Sequence, residues 1–457
     1  MDSLPVELVR LVFQYCDPAS ARTLRLASRR YADVGYEYLL EPHFTAVEWR
    51  DDVSRLCNIA NHDRLRGDIR SLTFNFAKLD EDYARQTSLF QHWLREAELP
   101  STLLQDSWAR YYELEAEASK LPSFQSRSAE VEDALGRLPN LQHVEITHTK
   151  SPYDIPLLQD FFQVRTCRKR DRGQTCKNIN AVVSALRHTR LDSLSIDRLP
   201  LEIFRQADDR RLWLDCARSF ASLSRLDLVL DAPPNLLPAS RSRAVNGLGG
   251  VLHSAVNLTH LSLAFHQYHA PAQKFHLSFQ ALFCGSDFVF PRLTDLKLEG
   301  ISCTEDDLRS FLIRHGATLE RLRLGGRGLA KPFEWSMGGV HLHQGSFRGL
   351  FTGLRGRLPR LQRFHMEGDA EAGDFAASSR EVYMFRPVTD DNWTPLDGGS
   401  GSGDDPATAA AAGYRAKRLD TLGACVKVVD SVALEKYLVE GGRYPRLGKE
   451  EVVSDGL

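Results

Sequence analysis

LTHLSLAF (residues 258–265) and LTDLKLEG (residues 293–300) decide how this chain folds. In each, apolar and polar side chains alternate: Leu261 and Leu263 against His260 and Ser262, Leu296 and Leu298 against Asp295 and Lys297. A period of two belongs to a short β-strand with one face buried and one face polar. Working outward, the same apolar spacing recurs at Ile69-Leu72-Phe74, Leu141-Val144-Ile146, Leu191-Leu194-Ile196, Leu223-Leu226-Leu228, Leu319-Leu322-Leu324 and Leu361-Phe364-Met366. Between copies the spacing turns helical, most plainly in TEDDLRSFLIRHG (residues 304–316). There Leu308, Phe311, Leu312 and His315 share one face, Thr304 stands at the N-cap ahead of acidic residues, and Gly316 supplies a stop.

A strand plus a helix buries too little surface alone, so neighbouring units have to stack. The L-x-x-L-x-L copies resemble leucine-rich repeats; the last five intervals are 26–42 residues, longer than usual for such repeats, and the first two, 72 and 50 residues, hold insertions. The resemblance implies an α/β fold in which a short N-terminal helical module precedes a curved leucine-rich-repeat solenoid with strands along its inner wall. The alternative is a doubly wound α/β domain. Brief strands argue against it, as does the lack of any strand leading into a G-x-G-x-x-G or G-x-x-x-x-G-K-[ST] loop.

The expected organisation is a helical module over 1–45, the repeat array over 46–366 and a C-terminal extension over 367–457. A helical insertion spans 78–133, with FQHWLREAEL and DSWARYYELEAEASKL as its helices. Within the extension, Gly, Ser and Ala dominate 396–413, which reads as a flexible loop, and the helical spacing at Ser431–Val439 reads as a cap on the array.

Composition bounds the function. A chain of 457 residues exceeds one compact core, and 42% hydrophobic with 26% charged residues is the make-up of a folded protein. With 58 Lys+Arg against 60 Asp+Glu it lacks the basic field that nucleic-acid binding draws on, so no nucleic-acid partner is expected. Glu7 and Arg10 interrupt the N-terminal apolar run, and no apolar stretch reaches the length of a membrane span, so neither secretion nor a membrane partner is expected. The eight cysteines are scattered without a C-x-x-C pair, which points to reduced thiols in a cytoplasmic or nuclear protein. The basic run QVRTCRKRDRGQTCKN (residues 163–178) reads as a solvated loop, with a nuclear-localisation or acidic-partner patch as the alternative.

The first forty residues differ from the rest. In LPVELVRLVFQYC (residues 4–16), Leu8, Leu11, Val12 and either Tyr15 or Cys16 make one helical stripe, and Asp17-Pro18 ends it. A second amphipathic helix carries Leu24, Leu26, Ala27 and Tyr31 with Arg22, Arg25, Arg29 and Arg30. The run L-P-x-E-L, then V-F-x-Y, D-P and L-R-x-A-S-R-R resembles an F-box, the module by which substrate receptors dock on the adaptor of cullin-RING ubiquitin ligases. The whole chain resembles fungal F-box proteins with irregular leucine-rich repeats, although Cys16 stands where Leu is usual and no tryptophan closes the module near Tyr38. The resemblance implies that Leu4, Pro5, Leu8, Val12, Phe13 and Leu26 form or support an adaptor-facing surface, with the SCF adaptor, and through it a cullin, as partners. The alternative is that these helices only cap the array.

Catalytic motifs are not found. His341 and His343 fall on one side of a strand and His266 and His269 lie three apart, both without a third ligand at a familiar spacing. Gly325, Gly326 and Gly328 follow a strand but lead to Pro332 rather than a helix, so a turn is expected there. Ser28 and Cys167 have no assigned base. The expectation is a non-catalytic receptor without cofactor or metal, recognising a protein substrate through Thr259, His260, Ser262, Thr294, Asp295, Lys297, Arg321 and Arg323 on the polar faces of the strands. A protein-binding scaffold with no ligase association is the alternative.

Overall fold

The computed structural model describes residues 4–86, 101–163, 168–169, 171–205, 207–216, 220–232, 236–267, 274–283, 285, 287–326, 328, 338–373, 381–385, 426–429 and 431–445. The expected helix at FQHWLREAEL, the loop at 396–413, and Arg165, Cys167, Arg170, His269 and Pro332 lie outside these residues. The chain divides into two compact units, Met1–Ile196 with Asp215–Ser222, and Asp197–Leu214 with Leu223–Leu457.

The first unit opens with three short helices, α1 (Val6–Gln14), α2 (Pro18–Arg25) and α3 (Arg29–Val34). The starts of α2 and α3 are set by side chains that accept otherwise unpaired backbone N–H groups: Asp17 Oδ1 takes Ser20 N at 2.7 Å and Ser28 Oγ takes Tyr31 N at 3.2 Å. Strands β1 (His43–Val47), β2 (Ser71–Asn75) and β3 (His143–Thr147) follow, all parallel, and β4 (Ser193–Pro200) joins β3 over Ser193–Ile196. The register aligns Leu72, Val144 and Leu194 in one row and Phe74, Ile146 and Ile196 in the next, all buried. Connecting helices Asp52–Ala60, Ser128–Gly136 and Arg172–Ala185 bury Leu56, Val131 and Val182. Of the expected insertion, helix Ser101–Ala118 packs Tyr111 and Leu114 in a cluster with Tyr153, Leu157, Leu158 and Phe162.

In chain order the second unit carries β5 (Arg225–Asp231), β6 (His260–His266), β7 (Phe275–His276), β8 (Asp295–Glu299), β9 (Ile301–Thr304), β10 (Arg321–Gly325), β11 (His341–Gln344), β12 (Arg363–Ala372), β13 (Glu381–Phe385) and β14 (Val426–Val429). Strands β5, β6, β8, β10 and β12 pair in that order, all parallel. Beyond β12, parallel pairing continues through β11 and β9 to β7, while β13 runs antiparallel to β12 and parallel to β14. Leu226, Leu261, Leu296, Leu322 and Phe364 form one in-register row and Leu228, Leu263, Leu298, Leu324 and Met366 the next, all buried. Each such side chain contributes about 1.5–3 kcal/mol when fully buried, so these rows hold the sheet.

Helix Glu305–Arg314 buries Leu308, Phe311 and Leu312, with Thr304 Oγ1 accepting Asp307 N at 3.2 Å. The helix stops at His315, whose Nε2 accepts Phe290 N at 3.1 Å. Gly316 serves close approach: a Cβ there would lie 2.4 Å from the Arg357 carbonyl. Helix Ser431–Val439 runs against β12 and satisfies two of its backbone donors, Glu435 Oε2 accepting Phe364 N at 2.8 Å and Ser431 Oγ accepting Met366 N at 3.0 Å.

The expected architecture is therefore corrected. A short helical F-box followed by a curved leucine-rich-repeat solenoid is not what forms; the described residues make parallel sheet flanked by helices, an α/β arrangement. The physical reason lies in what the pattern encodes. L-x-x-L-x-L specifies which strand face is buried, and the helical spacing specifies a crossover, but both features are shared by stacked repeats and by parallel α/β sheets. The long intervals accommodate complete crossover helices, and in-register pairing does the rest.

Candidate functional site

Two surfaces gather the residues singled out in the sequence. The first is the outer face of α1. Leu8, Leu11, Val12 and Tyr15 follow one another at helical spacing and are 46%, 47%, 47% and 86% exposed; Leu26, at the end of α2, is 87% exposed. Pro5 is exposed at the start of α1, where its carbonyl accepts Leu8 N and Val9 N at 3.1 Å. Phe13 points the other way and is fully buried, in a cluster with Val9, Ala21, Tyr31 and Val34 that Leu4, Cys16, Leu24 and Tyr38 flank. Its ring stacks on Tyr38 at 5.5 Å and meets Tyr31 edge-on at 6.4 Å.

Of the six residues expected at the adaptor surface, Pro5, Leu8, Val12 and Leu26 are thus exposed, while Leu4 and Phe13 support them from behind. Leu11 and Tyr15 belong to the exposed stripe although the resemblance did not single them out; the i, i+3, i+4, i+7 spacing from Leu8 is the signal that finds them. Tyr15, not Cys16, ends the stripe, since Cys16 is half-buried with its Sγ 3.4 Å from the Val12 carbonyl. The Asp17 carboxyl is held below its usual range by the Ser20 backbone N–H and hydroxyl, the mark of a helix cap.

The second surface is the polar face of β5–β12. Arg225, His260, Asp295, Arg321 and Arg363 stand in one register row, and Asp227, Ser262, Lys297, Arg323 and His365 in the next. The first row is stitched by charge. Arg225 lies 2.6 Å from Asp227, His260 places one ring nitrogen 3.2 Å from Asp227 and the other 3.2 Å from Asp295, and Arg321 lies 2.5 Å from Asp295. An imidazole with a carboxylate at each nitrogen needs both N–H donors, so the geometry favours the cation. Burial alone would lower the His260 pKa, but Asp227 and Asp295 outweigh it and raise it; burial likewise opposes, and His260 and Arg225 produce, the lowered pKa of Asp227.

Lys297 lies 2.8 Å from Glu299, which His266 approaches at 3.1 Å and whose carboxylate accepts Gly328 N at 2.6 Å. Despite complete burial, Lys297 and His266 hold Glu299 well below the usual carboxylate range. Thr259 and Thr294 sit just ahead of β6 and β8, and their hydroxyls donate to the Ser224 and Thr259 carbonyls at 3.0 Å. Six of the eight expected contact residues therefore share the polar face, with Arg321 the most open and Asp295 and Arg323 buried, while the two threonines tie adjacent strands.

The remaining candidates have structural roles. His341 is buried with its nitrogens 2.9 Å from Ser302 Oγ and from the Gly373 carbonyl, and His343 lies 3.3 Å from the same hydroxyl. Among the described residues no group of three or more His, Cys, Asp or Glu side chains is placed to hold a metal ion. Gly325, the last residue of β10, adopts φ 96° and passes so close to the Glu367 carbonyl that a side chain would collide with it, which explains the glycine there. Ser28 is the α3 cap. Among the described residues no helix is long and apolar enough to cross a membrane. Comparison of the chain with protein-family models and with curated proteins returns no match.

Proposed function

We propose that this chain is a substrate-recognition subunit of a cullin-RING ubiquitin ligase. In this reading α1–α3 dock on the SCF adaptor, the chain holds a partner protein, and no group of the chain enters the chemistry. Proximity alone then raises the effective concentration of the partner's lysine near the ubiquitin-charged enzyme.

The observation that supports the reading is the stripe Leu8, Leu11, Val12 and Tyr15, with Leu26, standing in solvent on a module whose own core is already complete around Phe13. Apolar side chains clustered at this density on a helix are costly in water and mark a binding face.

The test is binding of the purified adaptor to the full chain, wild type against Leu8→Asp/Val12→Asp. Both positions are half-exposed, so the fold should survive, as circular dichroism will report. Each buried carboxylate should cost at least about 1.4 kcal/mol, giving a loss of roughly 100-fold or more. A wild-type chain that does not bind the adaptor leaves α1–α3 as a cap. A specific observation would favour that outcome: Arg64 ties Asp33 at 2.9 Å and Tyr36 stacks on His62, so the module is anchored to the loop that follows it.

A further inference from the structure

In the first unit a cleft of about 470 Å³ opens at the carboxyl ends of β1 and β2, the end of a parallel sheet where ligands are usually taken. Its floor is aromatic. Phe74 and Phe76 extend from β2, and Phe124 meets them edge-on at 5.5 and 5.0 Å. Leu121 and Pro122 continue the apolar wall. The rim is charged, and following each charge to its partner leaves a remainder. Asp52 is buried and takes Val47 N at 2.9 Å, Arg50 at 3.1 Å and Arg55 at 2.5 Å. Arg127 bridges Asp51 and Glu130, at 2.5 and 2.7 Å. Glu48 pairs with Lys78 at 3.0 Å. Glu115 remains. Its field reaches Lys78, which Glu48 already neutralises, and the Tyr153 phenol, which burial keeps protonated and neutral.

We propose that this cleft binds a primary amine carried on an apolar stem, the ammonium lying between Glu115 and Glu48 and the stem along Phe74, Phe76 and Phe124. A second ammonium would match two carboxylates with two cations, whereas an anionic ligand would leave Glu115 facing a like charge. The volume suits one aromatic ring with a short alkyl chain. The same chemistry is offered by a free arylalkylamine and by a lysine side chain flanked by apolar residues in a peptide. The inference is independent of the ligase reading.

Calorimetric titration of the full chain with 4-phenylbutylamine, 4-phenylbutanol and 4-phenylbutyrate tests it. The amine should bind at least 10-fold more tightly than either isostere, and Glu115→Gln should remove that preference. Ser119→Lys, at an exposed position on the cleft's lip, should weaken the amine independently by supplying an ammonium of its own. An end-blocked Leu-Lys-Leu peptide binding more tightly than the free amine identifies a peptide as the source, and the reverse order identifies a small molecule. Equal binding of amine and carboxylate, or an amine preference that survives in both variants, overturns the proposal.

Discussion

On α1, four large apolar side chains stand in solvent one helical turn after another; on β5, β6, β8 and β10, five charged side chains neutralise one another within 3.2 Å. Both surfaces were singled out as contact faces, yet they differ in what a partner would gain. The α1 stripe offers about 25 cal/mol for each Å² of apolar area covered, with little to give up in exchange. The charged row has already made its hydrogen bonds, so a partner using Arg321 or Asp295 has to replace a strand-to-strand pair and recovers only the difference. Exposed apolar surface on a finished core therefore points outward, whereas paired charge on a sheet points to its own neighbours.

The largest effects come from breaking what stands behind each surface. Phe13→Ala removes the ring around which α1–α3 close and should cost about 3–5 kcal/mol, while Leu8→Ala should stay within about 0.5 kcal/mol. Amide hydrogen exchange of α1 is the measurement, because it reads the module's local opening without requiring the whole chain to unfold at once. Equal protection in the two variants would remove the distinction between supporting and contacting residues on which the adaptor proposal rests.

The second unit contains a sharper case of self-paired charge. Lys274 Nζ lies 2.6 Å from Asp369, both side chains buried, and the same carboxylate accepts Gly339 N at 3.1 Å. Lys274→Met takes the ammonium away from that buried carboxylate and should cost about 3–5 kcal/mol in urea unfolding followed at β12. The double variant Lys274→Met/Asp369→Leu should recover most of the loss, since an apolar pair of similar volume has no charge to desolvate. If the double variant is as weak as the single, the pair is held by contacts other than its charge.

How much of this was legible in the sequence follows from what each residue encodes. The strand faces were readable because Leu261 and Leu263 alternate with His260 and Ser262, and the 305–314 helix because Thr304 and its acidic followers mark a start. The arrangement of strands was not, since pairing β10 with β8 and β12 is a long-range choice that no local spacing records. On α1 the periodicity located the stripe but not which side would be covered: Phe13, one residue past Val12, became the core because Tyr31 and Tyr38 close over it. Lys274 and Asp369 lie 95 positions apart, and nothing in either neighbourhood announces the other.

The smallest expected effect separates two histidines on the same polar face by the sign of their pH dependence. His365 Nδ1 meets Ser431 Oγ at 2.9 Å, and burial, reinforced by Arg323 and Arg363, pushes its pKa down to about 4. Its fold favours the neutral ring. The unfolded chain therefore takes up the proton first, and the stabilisation, complete above pH 6.5, is lost as pH falls toward 4, by about 2 kcal/mol at pH 5. His260 runs the other way: its pKa is raised, so its contribution is complete below pH 6.5 and is lost as pH rises through the folded value. Hydrogen exchange at β12 and β6 between pH 5 and 8 should show opposite slopes, flattened in turn by His365→Leu and His260→Gln. Parallel slopes at the two strands would mean that His260 is held by geometry alone and that its two carboxylates do not retain the proton.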